Sequence, residues 1–340
     1  MSAHTELIPE RANRLLIAGL VAVNLLQFLI VPIFLAPLDP LWGLLLILPV
    51  LVSTPYWSVI HEAIHGHLLR DKRSNDFWGR VLCVLFGSPF QLLRLGHLMH
   101  HRFNRTPIQR SDVSDEQERP GLAEKLWYYH LILGGLWFWE FVASAMALLP
   151  DQFYKPLVRI AFGEHAPDGR TMWRAAKTQL LAEPGRSRMR FDGLLICLLF
   201  AGSFWLYGAF WWMLALALAG RAFLVSFFDN AYHYGNLLED VKAGYNLRLP
   251  RWAERFALYF NMHEVHHRDP NLPWSALPAR FEKDGDRYHL GYVYAGVRQL
   301  WGPIPEPEAA EGKLDSRLLT RDPEQDPTRG IVEQTGMGAT

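Results

Sequence analysis

Apolar residues gather along this chain into long blocks, separated by polar and basic stretches. Residues 15–35 run apolar, with Asn24 and Gln27 as the strongly polar members. That is about the 20 residues a bilayer-crossing helix needs, and more than the apolar core of a signal peptide. Ala36-Pro-Leu-Asp-Pro40 reads as a tight turn, and residues 41–60 read as a second span with Trp42 and Trp57 near its ends. Residues 193–228 are almost uninterrupted apolar sequence. As one helix they would measure about 54 Å against a hydrocarbon core of about 30 Å. They are therefore predicted as two spans, about 193–207 and 209–228, with a turn near Tyr207-Gly208. Residues 81–95 are apolar but short, and contain Gly87, Pro89 and Arg94. They are expected as a helix at the interface or packed against the bundle.

Charge sets the expected orientation. Arg11 and Arg14 precede the first span. Arg70, Lys72, Arg73, Arg80, Arg94, Arg102, Arg105 and Arg110 follow the second, and a third basic stretch runs from Lys155 to Arg190. Basic loops beside spans stay in the cytoplasm. Residues 131–149 are long enough to cross, but Glu140 sits mid-way and both flanks are basic. This stretch is expected to be interfacial or re-entrant. The expected fold is an all-α, multi-pass integral membrane protein. Four transmembrane helices carry a cytoplasmic helical cap, with both termini and the active site on the cytoplasmic side. Residues 1–302 would form this one domain. From 303 to 340 Pro, Glu, Asp and Gly dominate, and this tail is expected to be disordered.

Composition adds little. The 34 Lys plus Arg balance the 34 Asp plus Glu, so charge gives no argument for nucleic acid, and no nucleic-acid partner is expected. Cys83 and Cys197 are far apart with no CxxC, which suggests neither a disulfide framework nor a thiolate metal site.

The chemistry sits in the polar stretches that follow the spans. Three histidine boxes stand there: His61-Glu-Ala-Ile-His65, His97-Leu-Met-His100-His101 and His263-Glu-Val-His266-His267. Residues three and four apart share a helix face, so each box presents its imidazoles together. Imidazole is the commonest protein metal ligand and suits iron, copper and zinc. One box alone could be a polar surface patch; three in a membrane protein argue for metal. A fourth element, Asp229-Asn-Ala-Tyr-His233, follows the last span, with Asp and His at i and i+4. His233 is a further candidate ligand. Asp229 could bind metal directly, through water, or orient an imidazole. The nine histidines His61, His65, His97, His100, His101, His233, His263, His266 and His267 are too many for one ion. They suit two ions with open positions, as redox iron and oxygen chemistry require. His67 falls off the i+3 and i+4 positions and reads as a cap or supporting residue. His4, His130, His165 and His289 stand alone and are assigned no role.

With HxxxH at 61–65, HxxHH at 97–101 and HxxHH at 263–267, the chain resembles the membrane fatty acid desaturases, part of the histidine-box di-iron desaturases and hydroxylases. The resemblance covers roughly residues 15–290. It implies two iron ions (Fe2+/Fe3+), dioxygen as co-substrate, a lipid acyl substrate, and no catalytic residue beyond the metal ligands. Electrons would come from a separate carrier of ferredoxin, rubredoxin or cytochrome b5 type with its reductase, since no fused His-Pro-Gly-Gly signature is present. Similar acyl desaturases carry an Asn four residues before the histidine that His233 matches; here Asp229 stands in that place. The basic stretches at 70–110 and 155–190 could dock an acidic carrier, though membrane topology explains them equally.

Two other readings remain. A hydroxylase or ketolase of the same superfamily would act on a carotenoid, sphingolipid or alkane. A metal transporter or sensor is more remote, because transporters place ionisable groups near the midplane of their spans.

Overall fold

The computed structural model describes residues 3–114, 120–163 and 169–311. The chain is mostly helical and divides into two compact units. One comprises residues 1–102 and 133–226, the other 103–132 and 227–340.

In the first unit, Glu10–Leu35 is a helix of 26 residues. Its second half, Leu26–Leu35, is π-helical and holds Pro32. Proline has no N–H to give the ladder, and the wider turn absorbs that loss, with the Ala36 N–H reaching back to Val31. Pro40–Leu51 and Ser53–His65 follow, bent by 43°. Among the described residues two helices are long and apolar enough to cross a membrane, Glu10–Leu35 and Gly185–Ala231, or up to four spans if each bent helix pair is counted as one. The second of these breaks at Gly208 (φ 50°, ψ −118°) into Gly185–Tyr207 and Trp211–Ala231, where the sequence predicts a turn. The Tyr207 hydroxyl, from one arm, donates to the Gln27 carbonyl at 2.7 Å; Arg221, from the other, reaches the Gln27 side chain at 3.4 Å.

The block at 81–95 departs from the single helix expected. Lys72–Phe86 and Phe90–Phe103 meet at 101°. Asp71 starts the first by accepting the Ser74 N–H at 2.8 Å. Gly87 (φ 100°) ends it, and the next helix begins just after Pro89. The stretch at 131–149 is broken at Gly134 (φ 135°), leaving Leu136–Met146. Its 11 residues rise only about 16 Å, short of the hydrocarbon core. Glu140 accepts a hydrogen bond from Ser88 at 3.0 Å. Phe28, Val31, Tyr56, Phe86 and Phe200 form part of the buried core, whereas Leu15, Leu38, Leu41 and Trp205 are exposed. Exposed apolar surface on this scale suits a lipid environment. An apolar cavity of about 460 Å³ is lined by Leu41, Leu44, Ile47, Val50, Trp212 and Met213 among others.

The second unit is built of short pieces: Leu122–His130, Arg251–Phe256, His263–Arg268, Leu277–Asp284, Tyr292–Arg298 and Glu306–Ala310. Two parallel two-residue pairings tie them, Val113↔Ile304 with Ser114↔Pro305, and Leu247↔Leu290 with Arg248↔Gly291. The all-α expectation misses these, because strands of two residues carry no periodic signal. The pairing at 304–305 and the helix Glu306–Ala310 also carry ordered chain past the boundary expected at 302. The rest of the expected tail, from 312, lies outside the described residues, as does His165.

Candidate metal centre

In the first unit two helices carry the first two boxes. Ser53–His65 ends on the second histidine of its box because Gly66 follows in the left-handed region (φ 81°). The N–H groups of Gly66 and His67 turn back onto the Ala63 and Glu62 carbonyls. Asn75, buried, then clamps the exit: Oδ1 accepts the Leu68 and Leu69 N–H groups at 3.0 and 3.3 Å, and Nδ2 donates to the Ala63 carbonyl at 2.9 Å. Gly79 sets the spacing. A Cβ there would stand 3.0 Å from the Ala63 Cβ and 2.9 Å from the Phe90 ring. Ala63 belongs to the first box, and Phe90 opens the helix of the second.

His61, His65, His97 and His101 converge, with one ligand nitrogen from each within 4.8 Å of the others. Nε2 of His97 lies 2.9 Å from Nε2 of His65 and 3.0 Å from Nε2 of His101. Two protonated imidazoles at that separation would repel strongly. Two ligands at right angles on an ion about 2.1 Å away would lie about 3.0 Å apart, the spacing seen. The residues present therefore fit a metal ion. His100 stands outside this group, its ring 6.0 Å from that of His97. His67 also stays outside, stacked on the His65 ring at 5.9 Å. Glu62, buried, places a carboxylate oxygen 3.8 Å from Nδ1 of His61, in reach of orienting that ring.

In the second unit His233, His263 and His267 gather in the same way. Nε2 of His263 lies 2.9 Å from Nε2 of His233 and 3.2 Å from Nε2 of His267. The His266 ring is 6.0 Å from that of His263. The shared helix face expected for Asp229 and His233 is not found. The helix ends at Ala231: the His233 N–H turns onto the Asn230 carbonyl, three residues back instead of four, and Gly235 (φ 76°) continues the turn. Asp229 does not join the group of His233, His263 and His267.

Polar residues hold this turn and the third box. Arg105, buried and left-handed (φ 64°), pairs with buried Asp112 at 2.5 Å and donates to the Asn236 carbonyl at 2.8 Å. Asp112 accepts the Gly235 N–H at 2.8 Å. Asn104 donates to the Ala243 carbonyl at 2.7 Å. Beside the box, Glu264 accepts from Asn246 at 2.8 Å and lies 3.6 Å from His289. Burial pushes the Glu264 carboxyl above the ordinary carboxylate range. His289, without a role in the sequence reading, thus belongs to the surroundings of the box. Nothing in its spacing announces this, because 22 residues separate it from His267.

A sequence model of the fatty acid desaturase family matches residues 37–296. No curated protein and no solved structure matches the chain. The matched stretch runs from the second apolar block past the third histidine box and takes in both clusters, and the chain belongs to the fatty acid desaturase family, a family of oxidoreductases that act on lipids.

Proposed function

We propose that this protein is an oxygen-dependent di-iron desaturase that introduces a double bond into a lipid acyl chain. The observation that carries the reading is the pair of convergent imidazole clusters inside a chain of this family. His61, His65, His97 and His101 would hold one iron, and His233, His263 and His267 the other. His100 and His266 are further ligands, and Asp229 acts by orienting or through water. Irons bound there would supply the dioxygen activation that removal of hydrogen from an unactivated C–H bond requires. The protein's own part is to fix the imidazoles unprotonated and to keep the ligand helices rigid. The chain would cross the membrane four times, with both termini and the histidines on the cytoplasmic side. Electrons would come from a separate carrier of ferredoxin, rubredoxin or cytochrome b5 type.

Expression in a host that lacks the activity, with a co-expressed ferredoxin and reductase, tests this. A new double bond found by mass spectrometry of total fatty acids, and lost in His101→Ala, is the expected result. A new hydroxyl or keto group would instead assign the hydroxylase or ketolase reaction. No change in any lipid class, with the protein present in the membrane and loaded with iron, would overturn the acyl reading.

A further inference from the structure

The helix of the third histidine box, His263–Arg268, has no side-chain cap of its own. The first N–H groups of a helix find no partner inside it. Here a remote side chain supplies one. Oδ1 of Asn246 accepts the N–H groups of Glu264 and Val265, at 3.1 and 3.4 Å. Nδ2 of the same amide donates to Oε2 of Glu264 at 2.8 Å, with a longer contact to the Arg287 carbonyl at 3.5 Å. The backbone of Asn246 is clamped in turn. Its N–H donates to Nδ1 of His289 at 2.9 Å, and its carbonyl accepts the His289 N–H at 2.8 Å. Asn246 is 0% exposed, so water cannot replace these bonds.

The amide is therefore used at both ends with a fixed polarity. Oxygen faces two N–H groups and nitrogen faces a carboxylate. Aspartate would set a second carboxylate against Glu264, and alanine would leave both ends empty. A helix of six residues does not hold its geometry unaided, yet His263 and His267 must keep their Nε2 atoms within 3.2 Å of each other.

We propose that Asn246 is the positioning residue of this cluster: it fixes the His263–Arg268 helix in rotation and depth, and metal retention by His233, His263 and His267 depends on it. The inference rests on the two-metal reading above.

The test measures metal per chain by mass spectrometry on intact protein in detergent, with Mössbauer spectra of 57Fe-grown samples and helical content by circular dichroism. The chains compared are the wild type, Asn246→Ala, Asn246→Asp, and Asn246→Asp with Glu264→Gln. In the double variant the glutamine amide donates across the same gap, so the polarity is restored in reverse. Both single variants should keep wild-type helical content and hold about half the wild-type metal, and the spectral component of one site should be lost. The double variant should regain both. Full metal with an unchanged spectrum in Asn246→Asp would overturn the proposal. So would a double variant as depleted as the single, or depletion accompanied by a general loss of helix. A wild-type chain that takes up no metal would instead sink the two-metal reading. Asn246 would then be judged on hydrogen exchange at 263–268, expected to be fast in Asn246→Asp and slow again in the double variant.

Discussion

In the unit of residues 1–102 and 133–226, four converging imidazoles stand on two helices of 13 and 14 residues, set apart by a glycine against an alanine and a phenylalanine. In the unit of residues 103–132 and 227–340, three imidazoles stand on a six-residue helix and a turn. Side-chain amides and one buried ion pair hold them there. The first cluster is placed mainly by apolar packing of regular elements. The second is placed by polar bonds that have few substitutes. Helix packing is redundant, because many contacts share the task. A buried hydrogen-bond hub is not, since losing one partner leaves the other buried and unsatisfied.

Metal removal should break this comparison most visibly. Chelation should speed hydrogen exchange at the His263–Arg268 helix, though less than Asn246→Asp does, because six residues do not sustain a helix alone and the Asn246 cap remains. Ser53–His65 and Phe90–Phe103 should stay protected by their packing. Equal loss of protection in both units would refute the contrast.

Next in size is Arg105→Ala. It strands Asp112, which is 1% exposed, as a buried unpaired carboxylate. The expected loss is about 3–5 kcal/mol, read as an earlier unfolding transition in detergent, with faster exchange at residues 233–239. Arg105→Met with Asp112→Leu should recover only part of it, since removing both charges strands neither but leaves the Gly235 N–H and the Asn236 carbonyl without these partners. A single variant with the wild-type transition would show that the pair holds nothing.

Gly79→Ala probes the first unit. Its Cβ meets Ala63 and Phe90 at 3.0 and 2.9 Å, so the helix Lys72–Phe86 or the Phe90 ring must shift against the first box. Overpacking of this kind costs about 1–3 kcal/mol. Metal should fall at the cluster of His61, His65, His97 and His101, and Phe90→Leu should relieve it. Unchanged metal content would show that the spacing at Gly79 is not limiting. The smallest effect is expected at Gly66→Ala. Nothing lies within 4 Å of the added carbon, so only the left-handed φ of 81° opposes it. That is a cost of about 1–2 kcal/mol, with metal content preserved.

The histidine boxes were legible in the sequence because helical spacing alone gathers His61 with His65, and His97 with His101. The break at Gly208 was legible because 36 apolar residues are too long for one crossing. The bend between Phe86 and Phe90 was missed, although Gly87 and Pro89 mark it, because a short apolar block reads as one helix. The helix expected to join Asp229 and His233 ends at Ala231, before His233, and the Asp112 bond to the Gly235 N–H lies in the turn that follows. Arg221 was passed over within an apolar block. It is buried, and its charge is spread over the Leu85 and Phe86 carbonyls and the side chains of Asn24 and Gln27.

By itself the sequence determined the apolar blocks and the histidine boxes, since hydrophobic periodicity and helical spacing are local properties of residue type and order. Which imidazoles share a cluster, and which side chains hold them there, was decided only by the tertiary structure. Asn246 and His289 lie 43 residues apart, and Arg105 lies 131 residues from Asn236. Their hydrogen bonds depend on directions and distances in space, which separation along the chain does not encode.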